Sequence, residues 1–418
     1  LQSPAGRQLM VDGVALMNQL ADLRALISQQ QSRMSQLSAT VAAQQNLIAQ
    51  LNLVRLDHGS FGSVRTIDSA GSVDRIGHYA SLALTTAGFP VISYFEPTND
   101  DLKLAVCADA TCSSGTTLRT IDSTGVVGLY TSLALTTAGF PVISYWDGTN
   151  TDLKLAVCAD TTCASGTTIR TVDSTGNVGW YTSLALTTAG FPVISYWAHT
   201  NNDLKLAACA DATCSSGTTI RTIDSTGFVG GYTSLALTTA GFPVISYSDG
   251  TNFDLKLAVC ADATCSSGTT IRTIDSPSGV GFFTSLALTT AGFPVISYFD
   301  NSNQDLKLAV CADATCSSGT TIRTIDSTGN VGELTSLALT TAGFPVVSYF
   351  DRTNFVLKLA VCADATCSSG TTIRTIDSMG IVGEYSPSLA LTAAGFPVIA
   401  YYYGGGLKLA VCADATCF

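Results

Sequence analysis

The chain has 418 residues, of which 46% are hydrophobic and only 12% charged, and its net charge is −11. That balance implies extensive burial and argues against nucleic acid or an anionic membrane as a partner. No apolar run approaches the roughly 20 residues a bilayer-spanning helix needs, so membrane insertion is not expected.

Residues 1–9 show no periodicity and read as an extended arm. From Val11 to Leu53 there is no proline and no glycine beyond Gly13, and glutamine, alanine and leucine dominate, which favours helix. A heptad threads this stretch. Leu20, Ile27, Met34, Val41 and Ile48 take one core position; Leu16, Leu23, Leu37 and Leu51, with Gln30 and Gln44 between them, take the other. The pattern predicts a coiled-coil stalk that makes the protein a homo-oligomer. A trimer is favoured by the wide apolar stripe and the glutamine layers, over a dimer or a helical filament. The expected division is residues 1–58 as arm and stalk and 59–418 as a second domain, with 54–62 as linker.

The second domain is one unit of about 51 residues written seven times, its first leucine recurring at Leu82, Leu133, Leu184, Leu235, Leu286, Leu337 and Leu389. A fixed period of this size marks a solenoid, an array or a propeller. Each copy reads as four short strands, SLALTT, FPVISY, LKLAVC and TTLRTIDS in the first, separated by turn residues. The seventh copy stops at LKLAVCADATCF, and an orphan fourth strand, SVRTIDS from Ser63 to Ser69, precedes the first. The expected fold is therefore all-β, a seven-bladed propeller whose N-terminal strand completes the last blade and removes the open sheet edges.

Fourteen cysteines form seven Cys-x4-Cys pairs, Cys107/Cys112, Cys158/Cys163, Cys209/Cys214, Cys260/Cys265, Cys311/Cys316, Cys362/Cys367 and Cys412/Cys417. Regular pairs with none left over predict disulfides and an oxidising, extracellular location. Each bridge is expected to close only the loop between the third and fourth strands. No histidine lies near any pair, so neither a metal site nor any other cofactor is expected. The seven-fold Lys103, Arg119, Asp109 and Asp122 and their equivalents read as structural.

The copies differ in two segments. One joins strands two and three; the other joins strand four to the next copy. Alternating strand directions put both on one face of a propeller, while the near-constant TTAG and CADATCSSG turns lie on the opposite face. The variable face collects Phe95, Trp146, Asp147, Trp180, Trp197, His199, Asp249, Phe253, Phe299, Asp300, Phe350, Arg352, Tyr402 and Tyr403. Aromatic rings beside Asp, Asn and His suit a glycan or a protein surface as ligand. Catalytic residues are not apparent: there are three histidines and no nucleophile with a histidine to serve it. Glu333 and Glu384 share an equivalent position in adjacent copies, but such a pair is more often solvated than catalytic. The chain is therefore not expected to be an enzyme.

The PVISY…LKLAVCADATC pattern resembles the highly repetitive propeller repeats of bacterial extracellular proteins, and the stalk-plus-ring layout is similar to that of phage tail fibres and stalked adhesins. The resemblance implies a secreted or surface-exposed binding protein of the adhesin kind. The alternative is a structural subunit of an extracellular filament or sheath.

Overall fold

A computed structural model of the chain divides into two compact units, Leu1–Ser60 and Phe61–Phe418. It describes scattered positions between 20 and 33 and residues 62–69, 76–276, 279–378 and 387–418. In the first unit the described positions, Leu20, Leu23, Leu26 and Ile27 among them, are helical and exposed in the single chain. The expected long stalk is not supported: helix is described only between 20 and 33, and Leu16, Met34, Leu37, Val41, Ile48 and Leu51 lie outside the described residues. No helix among the described residues is long and apolar enough to cross a membrane.

The second unit is seven four-stranded antiparallel sheets, each built from strands consecutive in the chain save one. Blade 1 is His78–Leu84, Pro90–Glu96, Asp101–Cys107 and Thr116–Asp122. In blade 7 the strands Ser388–Leu391, Pro397–Tyr403 and Gly406–Val411 are joined by Ser63–Ser69, which runs antiparallel to Gly406–Val411 with Val64 opposite Ala410. The N-terminal strand therefore closes the ring, as the missing fourth strand of the last copy implied.

Burial explains the strand compositions. The second strand of blade 2, Pro141–Asp147, is buried on both faces except at Trp146, because neighbouring blades cover both sides, so it reads as a continuous apolar run. The outer strand Thr168–Asp173 is largely exposed and carries threonine and arginine. The core lies between blades. Val91, Leu102 and Leu104 of blade 1 pack with Val127, Leu133, Ile143 and Tyr145 of blade 2. The cluster across the closure joins Ile67, Val398 and Leu409 to Ile92 and Tyr94. Each fully buried aliphatic side chain contributes roughly 1.5–3 kcal/mol relative to exposure.

Two polar networks repeat around the ring. On the inner strands, the Ser81 hydroxyl accepts from the backbone N–H of Leu133 at 2.9 Å, and the relation recurs to Ser388, which accepts from Leu82 at 2.9 Å. At the end of each outer strand an aspartate accepts from the tyrosine hydroxyl of the next blade, at 2.5–2.8 Å in every case. The same carboxylate pairs with that blade's lysine, at 2.9 Å for Asp122 with Lys154 and 3.9 Å for Asp68 with Lys103. Burial alone would push the Asp122 carboxyl up, but hydrogen bonds from Tyr145 and Lys154 outweigh it and hold it below the ordinary carboxylate value.

All seven cysteine pairs are disulfide-bonded: Cys107 to Cys112, Cys158 to Cys163, Cys209 to Cys214, Cys260 to Cys265, Cys311 to Cys316, Cys362 to Cys367 and Cys412 to Cys417. The pairing is the one the spacing implied. Two properties of the second cysteine were not visible in the sequence and correct the picture of a bridge that only closes a surface loop. First, Cys112, Cys163, Cys214, Cys265, Cys316, Cys367 and Cys417 all have left-handed backbone, with φ between 48° and 56°, a region uncommon for residues other than glycine. The tight turn onto the bridge requires it. The N–H of Cys112 donates back to the Asp109 carbonyl at 3.2 Å, Cys214 to Asp211 at 3.3 Å, and Cys265, Cys316 and Cys367 to Asp262, Asp313 and Asp364 at 3.2 Å each. Second, Cys112, Cys265, Cys316 and Cys367 are buried in the clusters between blades, and Cys214 packs partly buried against its own. These cysteines are framework residues of the inter-blade core.

The same loop has an aspartate that gathers its backbone. Asp160 accepts from the N–H of Thr162 at 2.8 Å, Ala164 at 3.1 Å and Ser165 at 3.1 Å.

Candidate functional site

The two variable segments meet on one face. The backbone N–H of Val126, before the inner strand of blade 2, donates to Thr149 in that blade's second connection at 2.8 Å, and Gly148 donates back to the Val126 carbonyl at 2.7 Å. The same link joins Asn177 to Thr200, Phe228 to Thr251 and Asn330 to Thr353, each at 2.7 Å. The variable loops are thus tied pairwise around one rim.

How each inner strand begins fixes where its side chains point. A glycine opens it: Gly128 has φ +97°, and a Cβ there would stand 2.7 Å from the Cα of Leu102 in the preceding blade. That position needs both the left-handed conformation and the missing side chain. The pairing then slips, Leu129 facing Trp146 but Ser132 facing Ser144, which is a β-bulge. Within the bulge Tyr130 takes φ +53°, as do Tyr79, Tyr181, Tyr232, Phe283 and Leu334 within a few degrees. Left-handed conformations are costly for bulky residues and concentrate where function needs them.

These six side chains turn toward the ring axis and form a collar. Tyr79, Tyr130, Tyr181, Tyr232 and Phe283 follow one another at centroid spacings of 4.5–4.6 Å. Together with Thr131, Thr182 and Thr233 beneath them they line an axial cavity of about 150 Å³. Burial pushes the Tyr130 and Tyr181 hydroxyls far up, so both stay uncharged at every physiological pH. The four collar tyrosines are not among the residues the sequence pattern marks for the site. Their signal was a residue that is Tyr in five copies and Phe or Leu in the other two, beside segments that otherwise vary freely.

Of the residues expected on this face, one group comes together. Trp146 and Trp180 lie 4.6 Å apart, Trp180 and Trp197 6.0 Å, and His199 stacks on Trp180 at 5.3 Å. The three tryptophans are half-buried and His199 is exposed. The Trp180 indole N–H donates to Asn177 at 2.7 Å. Phe253 exposes 45% of its surface on a left-handed turn position. Exposed Arg352 pairs with Glu333 at 3.3 Å. Tyr403 lies under the Lys408 ammonium, 3.5 Å from it.

A second group is corrected by the structure. Phe95, Phe299, Phe350 and Tyr402 are buried within their blades, because at their position the strand still runs inside the blade stack. Asp147, Asp249 and Asp300 are buried as well and cap their own connections: Asp147 accepts from the N–H groups of Thr149 and Asn150, each at 3.0 Å, and pairs with Lys154 at 3.4 Å. Their carboxylates are committed to the loop. Glu384 lies outside the described residues, and Glu333 is engaged by Arg352.

The inner-strand residue after the opening glycine faces a second-strand residue across the sheet. These pairs are His78/Phe95, Leu129/Trp146, Trp180/Trp197, Phe282/Phe299 and Glu333/Phe350. Blade 4 has Gly231 opposite Ser248 instead. The missing bulk leaves a cleft of about 160 Å³ walled by Tyr181, Trp197, Phe228, Tyr232 and Phe282.

The sequence matches no protein-family model and no curated protein. Solved structures share the fold. A mutant of AofleA from Arthrobotrys oligospora aligns at 14% identity over 78% of this chain and 92% of its own, TM-score 0.51. The xyloglucanase of Xanthomonas campestris aligns at 12% identity over 85% of this chain and 54% of its own, TM-score 0.53. A prolyl endopeptidase aligns at 13% identity over 83% of this chain and 48% of its own, TM-score 0.50. The chain spans about half the length of the last two. Identities this low show the propeller fold alone, and fold does not fix function. They correct the expectation that the chain is not an enzyme: propellers of this shape occur in enzymes, so the fold gives no ground for excluding one.

Proposed function

We propose that the ring is a ligand-binding module of an extracellular protein and that its variable face engages carbohydrate. One observation carries this reading: seven near-identical repeats hold their framework constant while substitutions gather on one face, where half-exposed tryptophans cluster with His199 and Phe253 is also exposed. Loops under no selection drift toward polar residues, whereas aromatic side chains kept at the surface mark recognition sites. The seven disulfides support an oxidising compartment. The N-terminal unit, joining several copies, would turn a weak affinity per ring into avidity.

The test is glycan-array binding by the chain, compared with a Trp146→Ala, Trp197→Ala double variant. Binding that falls at least tenfold in the variant supports the proposal. A chain that binds no glycan overturns it, and native material showing rings polymerised through these loops would favour a structural filament instead.

A further inference from the structure

We infer that the blade 4 cleft is the seat of one neutral sugar ring. The inference rests on the binding role proposed above and assigns it a place and a ligand class. The fold does not require the gap. Five other blades fill the same cross-strand position with at least one bulky side chain. A Cβ on Gly231 would meet only the Ser248 Cβ, at 3.9 Å, so a side chain fits there without moving the backbone. The next small residue, Gly250, extends the opening toward the loops. Gly231 and Ser248 are the two reductions peculiar to blade 4, and with Gly250 they line one space.

Size and chemistry choose the occupant. A cavity of about 150 Å³ takes one six-membered ring, and this one measures about 160 Å³. Its walls carry no charged side chain, so a charged ligand would be desolvated without a counter-charge, at a cost of several kcal/mol. Aromatic walls offer π faces to the weakly positive C–H face of a pyranose. Ser248 lies in the same lining and carries a hydroxyl, which suits a ring with hydroxyls better than a bare hydrocarbon. Phe228, 55% exposed, forms the lip.

The experiment titrates the full chain with a panel of neutral methyl glycosides, read by saturation-transfer NMR and calorimetry. The key variant is Gly231→Trp with Ser248→Trp, which writes blade 3's own pair into blade 4. Ser248→Phe alone, the residue found there in blades 1, 5 and 6, serves if the double variant fails to fold. At least a tenfold loss of glycoside affinity at an unchanged melting temperature is expected for the filled cleft. A filled variant that binds like the parent overturns the cleft while the binding face survives. A parent that binds no glycoside but binds aromatic-tipped peptides overturns the ligand class, and one that binds neither glycosides nor arrayed glycans overturns both readings.

Discussion

The two faces of the ring are made by the same strands, yet they are governed by different physics. On the constant face every cysteine loop is fixed three ways: by a disulfide, by an aspartate gathering backbone N–H groups, and by a left-handed cysteine such as Cys163. Little can change there without leaving a buried or strained group unsupported. On the other face the loops stand on an equally constant floor, the Asp–Tyr–Lys links between blades, but their tips are free to vary. Variation is thus confined to a layer above a conserved electrostatic seam, so a repeat can diversify its surface without retuning its core.

The comparison presupposes a closed ring, and the largest expected effect comes from opening it. Deleting Ser63–Ser69 leaves the Gly406–Val411 strand with a bare edge, removes buried Ile67, and takes Asp68 from Tyr94 and Lys103. Loss of the buried isoleucine alone costs about 2–5 kcal/mol. The variant should unfold at a melting temperature at least 10 °C lower, or associate through the exposed edge. Unchanged melting and a monomeric elution profile would break the comparison at its root.

Next comes the seam. Asp173→Ala strands the buried Lys205 ammonium and the Tyr196 hydroxyl. Removing one partner of such a buried group costs about 3–5 kcal/mol. The same seam sets the acid limit. Burial would raise the Asp173 carboxyl, but the bonds from Tyr196 and Lys205 lower it below its ordinary value. Asp122, Asp224 and Asp326 behave likewise. A depressed folded-state value means the stabilisation is complete above the unfolded value of about 3.9 and is lost as pH falls through the folded one. Asp101, Asp152, Asp203, Asp254 and Asp305 are raised by burial and so oppose the loss at first. The melting temperature should hold from pH 7 to about 5 and fall below about 4, less steeply in Asp173→Ala. A parent equally stable at pH 2 and pH 7 would remove the seam from the account.

Much of this architecture was legible in the chain because it is written as contrasts between copies. The spare fourth strand at Val64, ahead of the first full copy, implies closure with no knowledge of contacts. The paired cysteines imply the bridges, though not the left-handed turn that each second cysteine must adopt to reach its partner. The site was read less well, because it depends on register. Asp147 looks like an exposed loop acid until its strand is known to continue inside the blade, where the carboxylate caps a turn. Gly231 and Ser248 are 17 positions apart and unremarkable singly. They become a gap only when paired, and the pairing passes through a bulge that no local preference announces. The collar was hidden by the same bulge, since a left-handed Tyr130 points where a regular strand would not.

The smallest effects sharpen the contrast between faces most directly, because they compare one residue's worth of change on each. Replacing Cys158 and Cys163 together by serine opens a loop of a few residues, worth about 2 kcal/mol in the chain-entropy model. The Asp160 network that remains still orders the loop: hydrogen bonds led by the Ala164 N–H hold its carboxyl down at about 2, so at neutral pH it stays ionised and keeps gathering those donors. The loss should therefore appear in thermal unfolding but stop short of unfolding the blade. His199→Ala on the opposite face removes an exposed ring that stacks on Trp180 and meets Trp197 edge-on. Its cost to stability should be under about 0.5 kcal/mol, as for surface positions generally. If the histidine change proved as destabilising as the serine pair, the variable face would be holding the fold together, and its diversity would need an explanation other than recognition.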